Sequence, residues 1–313
     1  MLWGSEMPLL RINAIGRDLV LHETSGNTDA ALRAALRHPG PVIVMVHGYK
    51  FLPGDPIHCP HDHIFSTATK FKCNKALSWP RHLGLGQADP NEGVAIAFGW
   101  QARGKLKAAR DTSLQAAICL AQLISTIRSL APNRPVNLLA HSLGAHLVLE
   151  AMRYLARNDL CRAILMNGAT YQSHAMKCLA SPAGRTCEVI NVISRENAAY
   201  DRLFQWALPS DIIGDLPVGH GIPARNALSL RIDRPEVRKA LETLGYPIAP
   251  EVHYHCHWST YLRPGLFDFY RALIHDPNCL SFSRLEAMLD IQTQEVQHKP
   301  RRWLLPYAAR QAS

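Results

Sequence analysis

Three groups of residues in this chain have the types and spacing that chemistry requires. The first is Leu138-Leu-Ala-His-Ser-Leu-Gly-Ala-His-Leu147. A hydrophobic run leads into Ala140-His141-Ser142-Leu143-Gly144, and an apolar-periodic stretch follows. This is the G-x-S-x-G nucleophile elbow with alanine at its first small position. A serine on a sharp strand-to-helix turn has its hydroxyl lifted clear of the sheet edge. Small residues two before and two after it let the neighbouring backbones close in, and the helix start aims partial positive charge at a developing anion. A serine N-cap behind a buried strand has a similar composition; the succession of strand, turn and helix favours the elbow. The second group is His47-Gly48, which ends another apolar run. A strand ending this way can deliver the N–H of Tyr49 to an oxyanion, with the N–H of Leu143 as the second donor. The third is a pair of histidine clusters, His58-Cys-Pro-His61-Asp-His63 and the alternating His253, His255 and His257. On a strand, residues i, i+2 and i+4 share a face, so three imidazoles there would suit zinc and a metal-dependent hydrolase. Neither cluster has the regular spacing of a structural site, and the expectation is that no metal or other cofactor is needed.

The elements around these residues follow a rhythm. Arg11–Ala14 and Asp18–His22 pair as a hairpin around Gly16-Arg17, and a helical stretch covers Asp29–Arg37. Continuous β-branched apolar runs then recur at 41–48, 93–100, 135–140, 162–167 and 188–193. Such runs fit strands buried on both faces of a parallel sheet. Helical patterns at Leu106–Leu130, Leu143–Ala156 and after Tyr171 separate several of them, which predicts an α/β fold with a mostly parallel sheet and helices on both faces. The apolar positions of Leu106–Leu130, among them Ile118, Ala121, Leu123 and Ile127, read as a core-packing face. Two segments interrupt the rhythm. Residues 50–85 form a long stretch rich in His, Cys and Pro, of the length that functional loops or lids have. Residues 209–252, with a strand at Leu228–Ile232 and a helix at Pro235–Leu244, read as an insertion or cap. A helix at Leu266–Ile274 follows, and residues 298–313 form a basic tail. Nothing divides the chain, so 1–313 is read as one domain.

Composition narrows the function. Of 313 residues, 47% are hydrophobic and 19% charged, enough to bury a sizeable core and to exclude wholesale disorder. The net charge of +9, from 34 Lys and Arg against 25 Asp and Glu, permits anionic partners. The basic residues are spread along the chain without aromatic interleaving, so nucleic acid is not an expected partner. No run approaches the ~18 uninterrupted apolar residues of a membrane span. The eight cysteines form no C-x-x-C pair, and no secretory signal is visible at the N-terminus. Reduced thiols and a cytoplasmic location are the expectation; the Cys59–Cys73 and Cys178–Cys187 spacings would admit bridges in an exported protein.

Taken together, Val42–Gly48, Val94–Trp100, the elbow and the later strands resemble the α/β-hydrolase superfamily, over roughly residues 10–275 at the level of fold. Ala-Phe-Gly-Trp at 97–100, Ser-Arg-Glu-Asn at 194–197 and His257-Trp…Tyr261-Leu-Arg-Pro-Gly265 are similar to a group of bacterial serine hydrolases. The resemblance implies the chain order nucleophile, acid, histidine, and the long connections read as lid-like loop insertions. It places the histidine in the loop after the last strand, where His257 fits best and His253 and His255 are runners-up. It places the acid just past the strand at 188–193. There Glu196 is preferred and Asp201 is the alternative, Asn197 being well typed to cap the helix that follows. No Gly-x-x-Asp turn is present. The implied function is a serine hydrolase cleaving a small-molecule ester-type substrate through an acyl-enzyme on Ser142. A non-catalytic scaffold with this fold is the remaining alternative.

Overall fold

The computed structural model describes residues 9–68, 75–86 and 91–298. Chain order begins with β1 (Leu9–Ile15), β2 (Asp18–Leu21), α1 (Thr28–Ala35), β3 (Val42–Val46), α2 (Trp79–His82), β4 (Val94–Gly99) and α3 (Leu106–Leu130). It continues through β5 (Val136–His141), α4 (Leu143–Ala151), β6 (Arg162–Met166), α5 (Gln172–Leu179), β7 (Glu188–Ile193) and α6 (Ala198–Ala207). The last elements are β8 (Ala227–Arg231), α7 (Pro235–Thr243), α8 (Ser259–Leu262), α9 (Leu266–His275) and α10 (Phe282–His298). The eight strands form one sheet in the order β2-β1-β4-β3-β5-β6-β7-β8. Among the described strands only the β1–β2 hairpin is antiparallel, and the other strand pairings are parallel.

The apolar runs explain the layers. Side chains alternate across a strand, so Val42, Val44 and Val46 of β3 enter one core with α3, α4 and α5, while Ile43 and Met45 enter a second core with Trp79 and α9. A strand that must feed both cores has no polar face to spare, and all five residues of β3 are buried. Helix α3 is long and apolar enough to cross a membrane by length and composition alone. Half of its most apolar stretch is buried inside the fold, Leu120, Leu123 and Ile127 completely.

Three expectations need correction. Residues 209–252 do not form a cap, because β8 pairs in parallel register with β7 and α7 packs Val237 and Leu241 into the second core. The strand expected at Leu228–Ile232 is present as β8; the irregular run after α6 hides only that it is the last strand of the sheet. The described residues within 50–85 do not form a lid either: Ile64, Phe65, Trp79, Leu83 and Leu85 are fully buried in the second core. The helix from Leu143 ends at Ala151, followed by a tight turn at Met152–Tyr154. Cys178 and Cys187 are both free thiols; Cys73 and the tail from residue 299 onward lie outside the described residues.

Candidate active site

Strand β5 delivers Ser142 at the sheet's C-terminal edge, where parallel α/β folds carry their sites. Its backbone sits at φ 55° and ψ −123°, a region a non-glycine residue occupies at a cost of about 1–3 kcal/mol, held by surrounding contacts. Here the Ser142 N–H donates to the Met166 carbonyl at 3.0 Å, and the Ser142 carbonyl accepts from Ala145 and Ala169 at 3.0 and 2.9 Å. Two glycines make the turn possible. A Cβ on Gly48 would stand 2.8 Å from the His141 carbonyl oxygen and from Ser142 Cβ, and one on Gly144 would meet the His47 carbonyl oxygen at 2.6 Å. The ends of β3 and β5 therefore interlock at the elbow.

Ser142 Oγ lies 2.8 Å from Nε2 of His257. The loop carrying this histidine is fastened from three sides. His141 Nε2–H donates to the His257 carbonyl at 3.0 Å, and Asn167 Nδ2–H donates to the same oxygen at 2.9 Å. The ring itself stacks on Tyr200 with centroids 4.8 Å apart. Burial, then His141 and Lys75, holds the imidazole of His257 well below its usual range, so it stays neutral with a free lone pair toward the serine.

The third position differs from the expectation. His257 Nδ1–H donates to Oδ1 of Asn197 at 2.6 Å, and Asn197 Nδ2–H donates to Oδ1 of Asp201 at 3.0 Å. Among the described residues no carboxylate bonds the His257 ring. Glu196 points elsewhere, its carboxylate accepting from Arg263 and from the Ser194 hydroxyl, all three buried. Its Oε1 accepts from His253 N–H at 3.4 Å and its carbonyl from Cys256 N–H at 3.0 Å. A fully buried guanidinium demands a carboxylate, and Arg263 claims Glu196 for it; Glu196 anchors the histidine loop. Asp201 reaches His257 only through the amide of Asn197. One turn into α6, it sits against Gly219, where a Cβ would stand 2.2 Å from its Oδ2. Burial raises its pKa to about 6 against the lowering effect of the Asn197 bond. Asn197 starts α6 without capping it through its side chain; the amide is turned to the histidine instead.

His47 prepares the opposite side. Its Nδ1–H donates to the Gly48 carbonyl at 2.9 Å, and its Nε2 accepts from Trp100 N–H at 3.1 Å. Burial keeps this imidazole neutral, with its pKa down at about 3. In a trans peptide the N–H points opposite to the carbonyl. Holding the Gly48 oxygen therefore turns the Tyr49 N–H the other way. Leu143, first residue of α4, brings one of the donors that a helix start leaves without an intrahelical acceptor. Both residues border a cavity of about 330 Å³ that also contains Ser142 and His257. Phe51, Leu106, Leu203, Phe204 and Trp258 give it an apolar wall.

The histidine clusters do not converge. His58 bonds Asp55 at 3.0 Å, while His61 stacks on His22 and bonds Asn13 at 2.7 Å inside the fold. Residues 252–256 form no strand, which removes the shared face, and His253 and His255 are exposed.

A family model described as "Alpha/beta hydrolase of unknown function (DUF900)" matches residues 24–176, the span that includes His47-Gly48 and the elbow. The sheet order and this match, which covers just under half of the chain, give it the α/β-hydrolase fold. Among solved structures, an acetyl xylan esterase determined as an iodinated complex is similar at 11% identity and a TM-score of 0.36, over 80% of this chain and 99% of that one. Phospholipase PlaB from Legionella pneumophila, in complex with thio-NAD, gives 14% identity and a TM-score of 0.32 over 56% of this chain. The match spans 43% of that phospholipase chain. A search of curated proteins gives no match. Within this superfamily the elbow and the strand order are familiar; the amide at the third position is the departure. Sequence reasoning missed what Asn197, His141, Asn167 and Arg263 contact at the site. The spacing of Asn197 and Asp201, four apart at a helix start, was the available signal.

Proposed function

We propose that this protein is a serine hydrolase that cleaves ester-type bonds of small apolar substrates through an acyl-enzyme on Ser142. The observation that carries this reading is the 2.8 Å contact between Ser142 Oγ and His257 Nε2, at a strained elbow opening on an apolar cavity. The hydroxyl oxygen attacks the ester carbonyl while its proton passes to His257 Nε2. The carbonyl oxygen becomes an oxyanion between the backbone amides of Tyr49 and Leu143. Collapse breaks the carbon–oxygen bond, and the alcohol leaves with the proton from His257. Water then repeats the sequence to release the acid.

Asn197 fixes the tautomer by accepting the Nδ1 proton, and ionised Asp201 polarises the amide from behind. A neutral amide steadies the transient imidazolium less than a carboxylate does. An alcohol leaving group needs less proton assistance than an amine, which favours esters over amides. No cofactor takes part in these steps.

Labelling with a fluorophosphonate followed by peptide mapping tests the proposal. The modified residue is expected to be Ser142, and Ser142→Ala is expected to stay folded and unlabelled. His257→Ala should lose ~10³-fold or more in turnover of an activated ester. Labelling that persists in Ser142→Ala removes the nucleophile. A wild type that neither labels nor turns over activated esters makes the protein a scaffold.

A further inference from the structure

Two turns below the nucleophile, α4 packs against α5, and the facing side chains are chemically unusual. His146 and Glu150 are four apart on α4, as His174 and Cys178 are on α5, so each pair shares one helix face. We propose that Glu150, His174 and Cys178 form a binding site for a thiophilic divalent metal ion, with zinc the ion they suit best.

The geometry carries this. Cys178 Sγ lies 3.5 Å from His174 Nε2 and 3.9 Å from Glu150 Oε2, and the last two atoms are 3.8 Å apart. A point equidistant from all three falls about 2.2 Å from each, derived from those separations. Zinc takes sulfur at ~2.3 Å, imidazole nitrogen at ~2.0–2.1 Å and carboxylate oxygen at ~2.0–2.2 Å. The 3.8 Å between His174 Nε2 and Glu150 Oε2 is too long for a hydrogen bond, and the other two separations are weak thiol contacts.

The surroundings hold each ligand in orientation. Glu150 is buried, and its other oxygen, Oε1, accepts from Arg153 at 2.6 Å and from Tyr154 at 3.4 Å, leaving Oε2 turned inward. The backbone carbonyl of His146 also engages the His174 ring, the kind of outer contact that fixes a ligand's tautomer. The ring of His146 stacks on that of His174 at 4.1 Å, and its Nδ1 bonds Thr170 Oγ1 at 2.9 Å. His146 is buried, and its Nε2 has no hydrogen-bond partner among the described residues. This unpartnered nitrogen belongs to the ring that lies on the His174 ligand, a second buried polar group beside the three ligand atoms. A zinc ion with one carboxylate and one thiolate is electrically neutral overall, which suits a buried site. Binding releases the Cys178 proton to solvent. The ion would brace α4, the helix that begins at the elbow, against α5.

The test uses untagged full-length protein stripped with a chelator and titrated with cobalt(II), then zinc(II). One cobalt per chain is expected, with a thiolate-to-cobalt charge-transfer band that zinc abolishes, and zinc should raise Tm. Cys178→Ala, which removes the sulfur, and Glu150→Gln, which keeps the side chain's shape, should each weaken metal binding at least ~100-fold. Cys59→Ala should leave binding and the band unchanged, separating this site from the thiol beside His22. A wild type without the charge-transfer band overturns the proposal, as does undiminished binding by folded Cys178→Ala or Glu150→Gln. Binding needs no intact Ser142, so Ser142→Ala must give the same titration, and failure of the hydrolase reading leaves this result untouched.

Discussion

With an amide oxygen against Nδ1 of His257, the charge that usually supports the imidazolium stands one residue further back, on Asp201. Replacing Asn197 with alanine should reduce ester turnover by ~10²-fold or more, because the ring loses the contact that fixes its tautomer. The double exchange Asn197→Asp/Asp201→Asn moves the carboxylate next to the ring. It should shift the acid limb of the kcat/KM profile to higher pH, since an adjacent anion favours the imidazolium. Unchanged profiles would mean that the amide plays no part in the reaction. Asp201 makes a prediction of its own. Its pKa is raised to about 6 from 3.8 by burial, so the folded state holds this proton over a window in which the unfolded chain has released it. Stability is therefore greater below pH ~4 and declines as pH rises through about 6, by about 3 kcal/mol in all. Urea unfolding of the wild type and Asp201→Asn should show this term vanish in the variant. The variant should be at least as stable above pH 6 while losing activity.

The elbow and the histidine loop depend on contacts between elements. Gly48→Ala forces a Cβ against the His141 carbonyl and the nucleophile's own Cβ. About 1–3 kcal/mol of stability should be lost, and a displaced serine should slow turnover by ~10²-fold. Kinetics and thermal melting on one preparation measure both. Glu196→Gln leaves the Arg263 guanidinium buried without its anion, a change worth about 3–5 kcal/mol. Its effect on turnover should follow from a loosened loop, so folded variant protein should keep the wild-type pH profile. The strands and the strand–turn–helix elbow at Ser142 were legible in the sequence because β3 to β7 are buried on both faces and leave an unbroken apolar record. The carboxylates were not. Glu196 and Asp201 both sit near the end of β7, and choosing between them required Arg263, which enters from a segment 67 residues away. The amide of Asn197 has the composition of a helix cap, and only the position of the ring shows that it serves another purpose.

Across the whole molecule one side chain ties the C-terminal helices to the sheet. Arg162 on β6 is fully buried, bonds Glu188 of β7, and donates to the carbonyls of Leu273 at 2.6 Å and Leu280 at 3.2 Å. Arg162→Leu strands both carbonyls, each worth about 1–3 kcal/mol. A lower urea midpoint and earlier protease cleavage between α9 and α10 are expected. The basic charge pattern revealed little of this architecture, because a buried arginine and a solvated one look alike in a sequence. The interlocked glycines have a consequence for how the protein comes into being. Gly48 packs on His141 and Ser142, and Gly144 on His47, although about a hundred residues separate the two ends, and Ser142 holds its turn only while these contacts stand. Local folding of β5 and α4 cannot assemble the elbow, so on the proposed serine chemistry the reactivity of Ser142 would report completed long-range topology. A chain emerging from denaturant should remain chemically silent until the sheet is closed, and quenched-flow covalent titration would count native molecules one by one as they form.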